Sequence, residues 1–280
     1  MRLLVALLAA LALAGCGSED VDRIRDDVRQ RAEEIKQRAE RARERLAERV
    51  KDVLEELEQA VPRATPQTRP PTSRDESQMA AFLTKVITSV DGYWTKTLRA
   101  SGVDKPRVSY VWVPPGQAGR TGCGAVADDS AAFYCPADDT IYVAEEFAAE
   151  VLNGVARNLP GEAAGQGHAA GDFGVAYIVA HEYAHNVQNE LGFYRLAPRA
   201  GAKPFELQAD CMAGLWGNAV YREGLLQPGD VEEAINTASA VGDFDYGNAQ
   251  HHGTPEERRA AWLLGYRSGD PSVCRRFVPV

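Results

Sequence analysis

The stretch His181-Glu182-Tyr183-Ala184-His185 sets two imidazoles four residues apart, with a carboxylate beside the first. On a helix, positions i and i+4 share a face, so both rings can grip one ion. Glu182 then projects to the side, toward a water on the metal rather than the metal itself. That division of labour suits hydrolysis of a peptide bond. Zinc acidifies the water and polarises the carbonyl, while Glu182, as general base, takes and later delivers the proton. Downstream, Glu206-Leu207-Gln208-Ala209-Asp210 again places two carboxylates on one helix face. Glu206 can complete a His₂Glu zinc set whose fourth position stays open. Asp210, one turn on, is placed to accept the free ring N–H of a ligand histidine. Each acid also has a plainer use: Glu206 at the positive end of a helix, Asp210 in an ion pair with an arginine. His252, or less readily His251, is a candidate to stabilise the tetrahedral oxyanion by donating a hydrogen bond. The rival reading makes it a turn histidine ahead of a helix cap at Thr254. His168 receives no role.

These residues need elements to hold them. Ala176–Ala180 are apolar or aromatic, as expected of a buried helix, which predicts one from about Phe173 to Leu191 that stops at Gly192. A second opens with Pro204 in its first turn and runs to about Arg222, before Gly224. Asp230 with Glu233, and Thr254 with Glu257, read as capping boxes opening two further helices. Upstream, Gln78 to about Leu98 has helical spacing. Val108–Val113, Ala132–Cys135 and Thr140–Val143 are strand candidates between Pro, Gly and Asp clusters. The Gly/Ala-rich residues 161–171 read as a loop, with a mobile lid as one use for it.

The quoted motifs, with Phe133-Tyr134-Cys135-Pro136-Ala137-Asp138, Ile141-Tyr142, Gly171-Asp172-Phe173 and His252-Gly253-Thr254, resemble the putative neutral zinc metallopeptidase family of bacteria. A second helix carrying Glu-x-x-x-Asp is the usual complement of the first in gluzincin metallopeptidases. The resemblance covers about residues 76–280. It implies His181, His185 and Glu206 as zinc ligands, Glu182 as catalyst, a peptide or protein substrate, and an α+β, helix-rich zincin-like fold with a small β-sheet. Ala184 and Asn186 stand where the family usually has Gly and His; neither is an implied ligand. In zincin-like peptidases an edge strand beside the motif helix binds the substrate backbone by β-pairing. Thr140–Val143 is the candidate here, with an internal strand as the alternative.

The rest of the chain bears on location. Of 280 residues, 45 % are hydrophobic, enough for one good-sized core. The net charge of −9 argues against a nucleic-acid partner. Leu3 to Ala14 is an apolar run too short to span a bilayer but suited to a secretory signal. It ends in Leu13-Ala14-Gly15-Cys16, which resembles the lipobox of bacterial lipoproteins. That implies residues 1–15 as a removed signal, a lipidated Cys16, and membrane anchoring outside the cytoplasm. Residues 16–60 read as a long amphipathic helical stalk and 61–75 as a Pro-rich linker. The folded domain would occupy 76–280. An exported chain with Cys123, Cys135, Cys211 and Cys274 is expected to hold two disulfides in one of three pairings. The local pair Cys123–Cys135 together with Cys211–Cys274 is favoured. An alternative for the whole chain is an inactive zinc-binding structural or adhesion lipoprotein. The presence of Glu182 argues against it.

Overall fold

The computed structural model describes residues 76–278, together with Gln37. The signal, the lipidated cysteine, the stalk and the linker fall outside these residues. Within them no helix is long and apolar enough to cross a membrane. The architecture is α+β and helix-rich, with a small mixed sheet.

Helix α1 (Glu76–Ala100) buries Met79, Leu83, Val86, Ile87, Val90, Trp94 and Leu98, one stripe at steps of three and four. The sheet follows: β1 (Ser109–Val113), β2 (Gly119–Arg120), β3 (Val126–Ala127), β4 (Ala132–Cys135) and β5 (Thr140–Ala144). β2 and β3 pair only with each other; the main sheet has the order β1-β5-β4. β5 is therefore central, parallel to β1 on one side and antiparallel to β4 on the other. This corrects the edge-strand expectation for Thr140–Val143. Its backbone groups are committed on both sides, and β1 and β4 are the edges. The reason is the turn at Pro136–Asp139, where Asp139 takes φ 53° and folds β5 back onto β4.

Helix α2 (Glu145–Leu152) continues directly from β5 and was not anticipated. A single turn, α3 (Pro160–Ala163), opens the Gly-rich segment. The central helix α4 (Asp172–Glu190) is buried at nearly every position from Phe173 to Gln188. Such all-round burial marks an element enclosed by others. A turn, α5 (Phe193–Leu196), leads to α6 (Ala202–Arg222). Then come α7 (Asp230–Ala240), α8 (Pro255–Ser268) and a final 3₁₀ turn (Pro271–Arg276). The Gly-rich segment is packed against α7. A Cβ at Gly161 would stand 2.1 Å from the Ser239 carbonyl oxygen, and one at Gly167 would stand 2.5 Å from that of Asn236. Glycine there serves close approach.

The disulfides join Cys123 to Cys135 and Cys211 to Cys274, as favoured. Thr254 and Glu257 form their capping box. Asp230 and Glu233 do not. α7 has Gly229 at its N-cap, and the Glu233 carboxylate instead accepts the Phe173 N–H at 2.9 Å, capping α4 from another helix. Asp172, Asp230 and Glu233 consequently gather within 4.8 Å. Burial first, then the neighbouring carboxylates, pushes Asp230 and Glu233 up to about 7 each. The folded chain thus keeps protons that the unfolded chain releases near pH 4. Stability should fall as pH rises from about 4 to about 7 and level off above. Asp230→Asn is expected to raise the melting temperature at pH 8 and to match the parent only below about pH 4. Equal melting at pH 8 would refute this origin.

Candidate metal centre

α4 and α6 bring the site together. His181 and His185 project from one face of α4, and Glu206 meets them from the first half of α6. His181 Nε2 lies 3.2 Å from His185 Nε2 and 3.1 Å from Glu206 Oε2; His185 Nε2 lies 3.2 Å from Glu206 Oε1. The other ring nitrogens are already engaged. His181 Nδ1 stands 2.9 Å from Asp210 Oδ1, and His185 Nδ1 stands 2.8 Å from Gln188 Oε1. Both acceptors are oxygens, so Nδ1 of each ring donates, which leaves the two Nε2 atoms, facing the Glu206 carboxylate, as the positions a metal ion would take. Two ring nitrogens and a carboxylate converge in a buried place beside Arg258, whose Nη2 stands 3.2 Å from His181 Nε2, and a metal ion seated among them would satisfy all three. Two imidazoles and a carboxylate with one open side fit zinc.

Asp210 does both things the sequence allowed. Fully buried, it accepts from His181, from the Tyr177 hydroxyl at 2.6 Å, and from Arg258 Nε and Nη2 at 2.8 and 3.0 Å. Against the pull of burial, Arg258 and His181 hold its carboxyl below the usual range. Arg258, from α8, is itself only 3 % exposed, and its Nη2 reaches within 3.5 Å of Glu206. The sequence reading missed it. The run Glu256-Glu257-Arg258-Arg259 looks like a solvated helix face, and only the position four residues after the Thr254 cap hints at an inward turn.

Glu182 is held on β4's side, where the Tyr134 N–H donates to its Oε2 at 2.8 Å. Burial pushes this carboxyl up. It stands in the wall of a cavity of about 820 Å³, which His181, His185, Glu206 and Tyr194 also line. His252 lines the same cavity with its side chain 47 % exposed, while its backbone N–H and Nδ1 rest on Asp243 Oδ2 at 2.8 and 3.3 Å. His251 is buried, bonded to the other Asp243 oxygen, and does not line the cavity. Of the two histidines, His252 is therefore the one on the cleft. Tyr183 turns to the far side of α4 and donates to Asp91 at 2.8 Å. His168 bonds Glu162 on an exposed loop.

Residues 47–277 match the family described as putative neutral zinc metallopeptidase. The chain belongs to this family. The metallopeptidase match begins upstream of the boundary expected at residue 76, within the segment read as stalk. Among its relatives is the "uncharacterized protein YpfJ" of Escherichia coli (strain K12), 32 % identical over 228 residues, covering 73 % of this chain and 74 % of that one. Another is the "uncharacterized protein Rv2575" of Mycobacterium tuberculosis (strain ATCC 25618 / H37Rv), 32 % identical over 215 residues, covering 68 % and 67 %. No solved structure matches the chain. Membership of the family implies zinc, and the His-His-Glu group is where the described residues could hold it.

Proposed function

We propose that this chain is a zinc-dependent peptidase, with His181, His185 and Glu206 as ligands and Glu182 as general base. One observation carries the reading. Two Nε2 atoms and a carboxylate meet at 3.1–3.2 Å, with both Nδ1 positions committed elsewhere, in the wall of an 820 Å³ cleft. Zinc, when bound there, supplies a Lewis acid for the water and for the scissile carbonyl.

The chain's own groups do the rest. Glu182, held by the Tyr134 N–H, takes a proton from the attacking water and returns it to the leaving nitrogen. His252, its Nδ1 turned to Asp243, presents its other nitrogen as donor to the oxyanion. β4 is the edge strand of the sheet that lines the cleft, through Ala132, Phe133 and Tyr134. Tyr134 turns its N–H outward to Glu182, so by the period of two Ala132 also points its backbone groups outward. An extended substrate backbone can pair there.

The domain is proposed to lie outside the cytoplasmic membrane, anchored through lipidated Cys16. The lipobox-like Leu13–Cys16 supports this, as do the two disulfides, which belong in an oxidising compartment.

The test is metal analysis and casein hydrolysis by the full chain, with and without a chelator. One zinc per chain is expected, with cleavage lost on chelation and restored by added zinc. Zinc without cleavage would favour an inactive scaffold, and no bound zinc would sink the ligand assignment.

A further inference from the structure

The two ligand histidines are held by acceptors of different kinds. His181 faces an ionised carboxylate, whereas His185 faces the neutral amide of Gln188, whose Oε1 also accepts from the Tyr194 hydroxyl at 3.1 Å. Gln188 is fully buried, and so, nearly, is Gln208. Gln188 Nε2 donates to the Phe205 carbonyl at 2.7 Å and to Gln208 Oε1 at 3.1 Å; Gln208 Nε2 donates to the Cys274 carbonyl at 3.3 Å.

This chain of amides runs in one direction only. A backbone carbonyl accepts and cannot donate. The Cys274 carbonyl therefore requires the nitrogen of Gln208, which leaves Gln208 Oε1 facing Gln188. Phe205 independently requires the nitrogen of Gln188. Gln188 Oε1 is then left to accept from His185, which places a ring proton on Nδ1 and leaves Nε2 as the nitrogen for the metal. Reversing either amide would set oxygen against oxygen in a dry interior, at a cost of about 1–3 kcal/mol per unmet group.

We propose that Gln188 is a positioning residue for the metal. It fixes the tautomer and ring plane of His185, and Gln208 backs it by relaying the constraint of the Cys274 carbonyl. Asp210 does the same for His181 with a charge. The inference rests on the zinc reading above, and its test has to separate the two.

Zinc affinity is measured on the full chain by competition with a chromophoric chelator, for the parent, Gln188→Leu and Gln208→Leu. Folding is followed by circular dichroism. Outer partners of metal ligands are worth about 10–100-fold in affinity. Gln188→Leu is expected to weaken zinc binding by about that factor, and Gln208→Leu to weaken it less but in the same direction. Long-range ¹H–¹⁵N spectra of the zinc-loaded parent should show His185 protonated at Nδ1 and bound through Nε2. Should Gln188→Leu fail to fold, Gln208→Leu and the parent spectra decide. A parent that binds zinc tightly while a folded Gln188→Leu binds it equally well overturns this proposal alone. Metal on Nδ1 of His185 overturns it too. A parent without zinc overturns the reading beneath it and this proposal with it.

Discussion

Glu182→Gln is expected to cut peptide hydrolysis by about 10²- to 10⁴-fold while leaving one zinc bound per chain. Gln is nearly isosteric with Glu, and its amide oxygen can still accept the Tyr134 N–H that holds Glu182 at 2.8 Å. The side chain is held by β4 and is not among the three converging groups His181, His185 and Glu206, so their arrangement keeps its shape. What disappears is the ability to take a proton from water. Steady-state hydrolysis alongside metal analysis checks both halves. A variant that works within a few-fold of the parent would remove Glu182 from the mechanism. One that lost its zinc would show that Glu182 supports the site instead.

The second large effect is on stability. Arg258→Met leaves Asp210 as a fully buried carboxylate without its cation, and breaking such a pair costs about 3–5 kcal/mol. Tyr177 and His181 still donate to Asp210 and limit the loss. Replacing both partners should behave differently. In Arg258→Met with Asp210→Leu the buried charge is gone, so stability should largely return. Zinc affinity should stay low, because His181 Nδ1 then lacks its acceptor. Urea unfolding and chelator competition on the same three proteins separate these outcomes. Unfolding of Arg258→Met within about 1 kcal/mol of the parent would mean that the pair adds little beyond its desolvation cost.

The parts of the site legible in the sequence were local. His181 and His185, and likewise Glu206 and Asp210, are one helical turn apart, so a helix suffices to align each pair. The Thr254–Glu257 box was legible for the same reason, since both members serve the same helix end. Asp230 and Glu233 have the same spacing and failed because Glu233 was claimed from outside, by the bare N-terminus of α4. Strand order was out of reach in the same way. Nothing near Thr140 announces that Ser109–Val113 will lie parallel beside it. Arg258 and Gln188 look like ordinary polar helix residues. Only the packing of α8 on α6, and of α6 on α4, reveals that neither is on a surface.

The Cys274 carbonyl and Arg258 both lie later in the chain than the cluster they brace. During synthesis His181, His185 and Glu206 leave the ribosome first, and each lacks part of its bracing until the C-terminal segment follows. The Cys211–Cys274 bond then ties that segment to the helix bearing Glu206. A half-made chain would thus hold all three proposed metal ligands without the frame that aims them. For a chain proposed to cut polypeptides, this order of assembly delays competence until the segment carrying Arg258 and Cys274 has emerged.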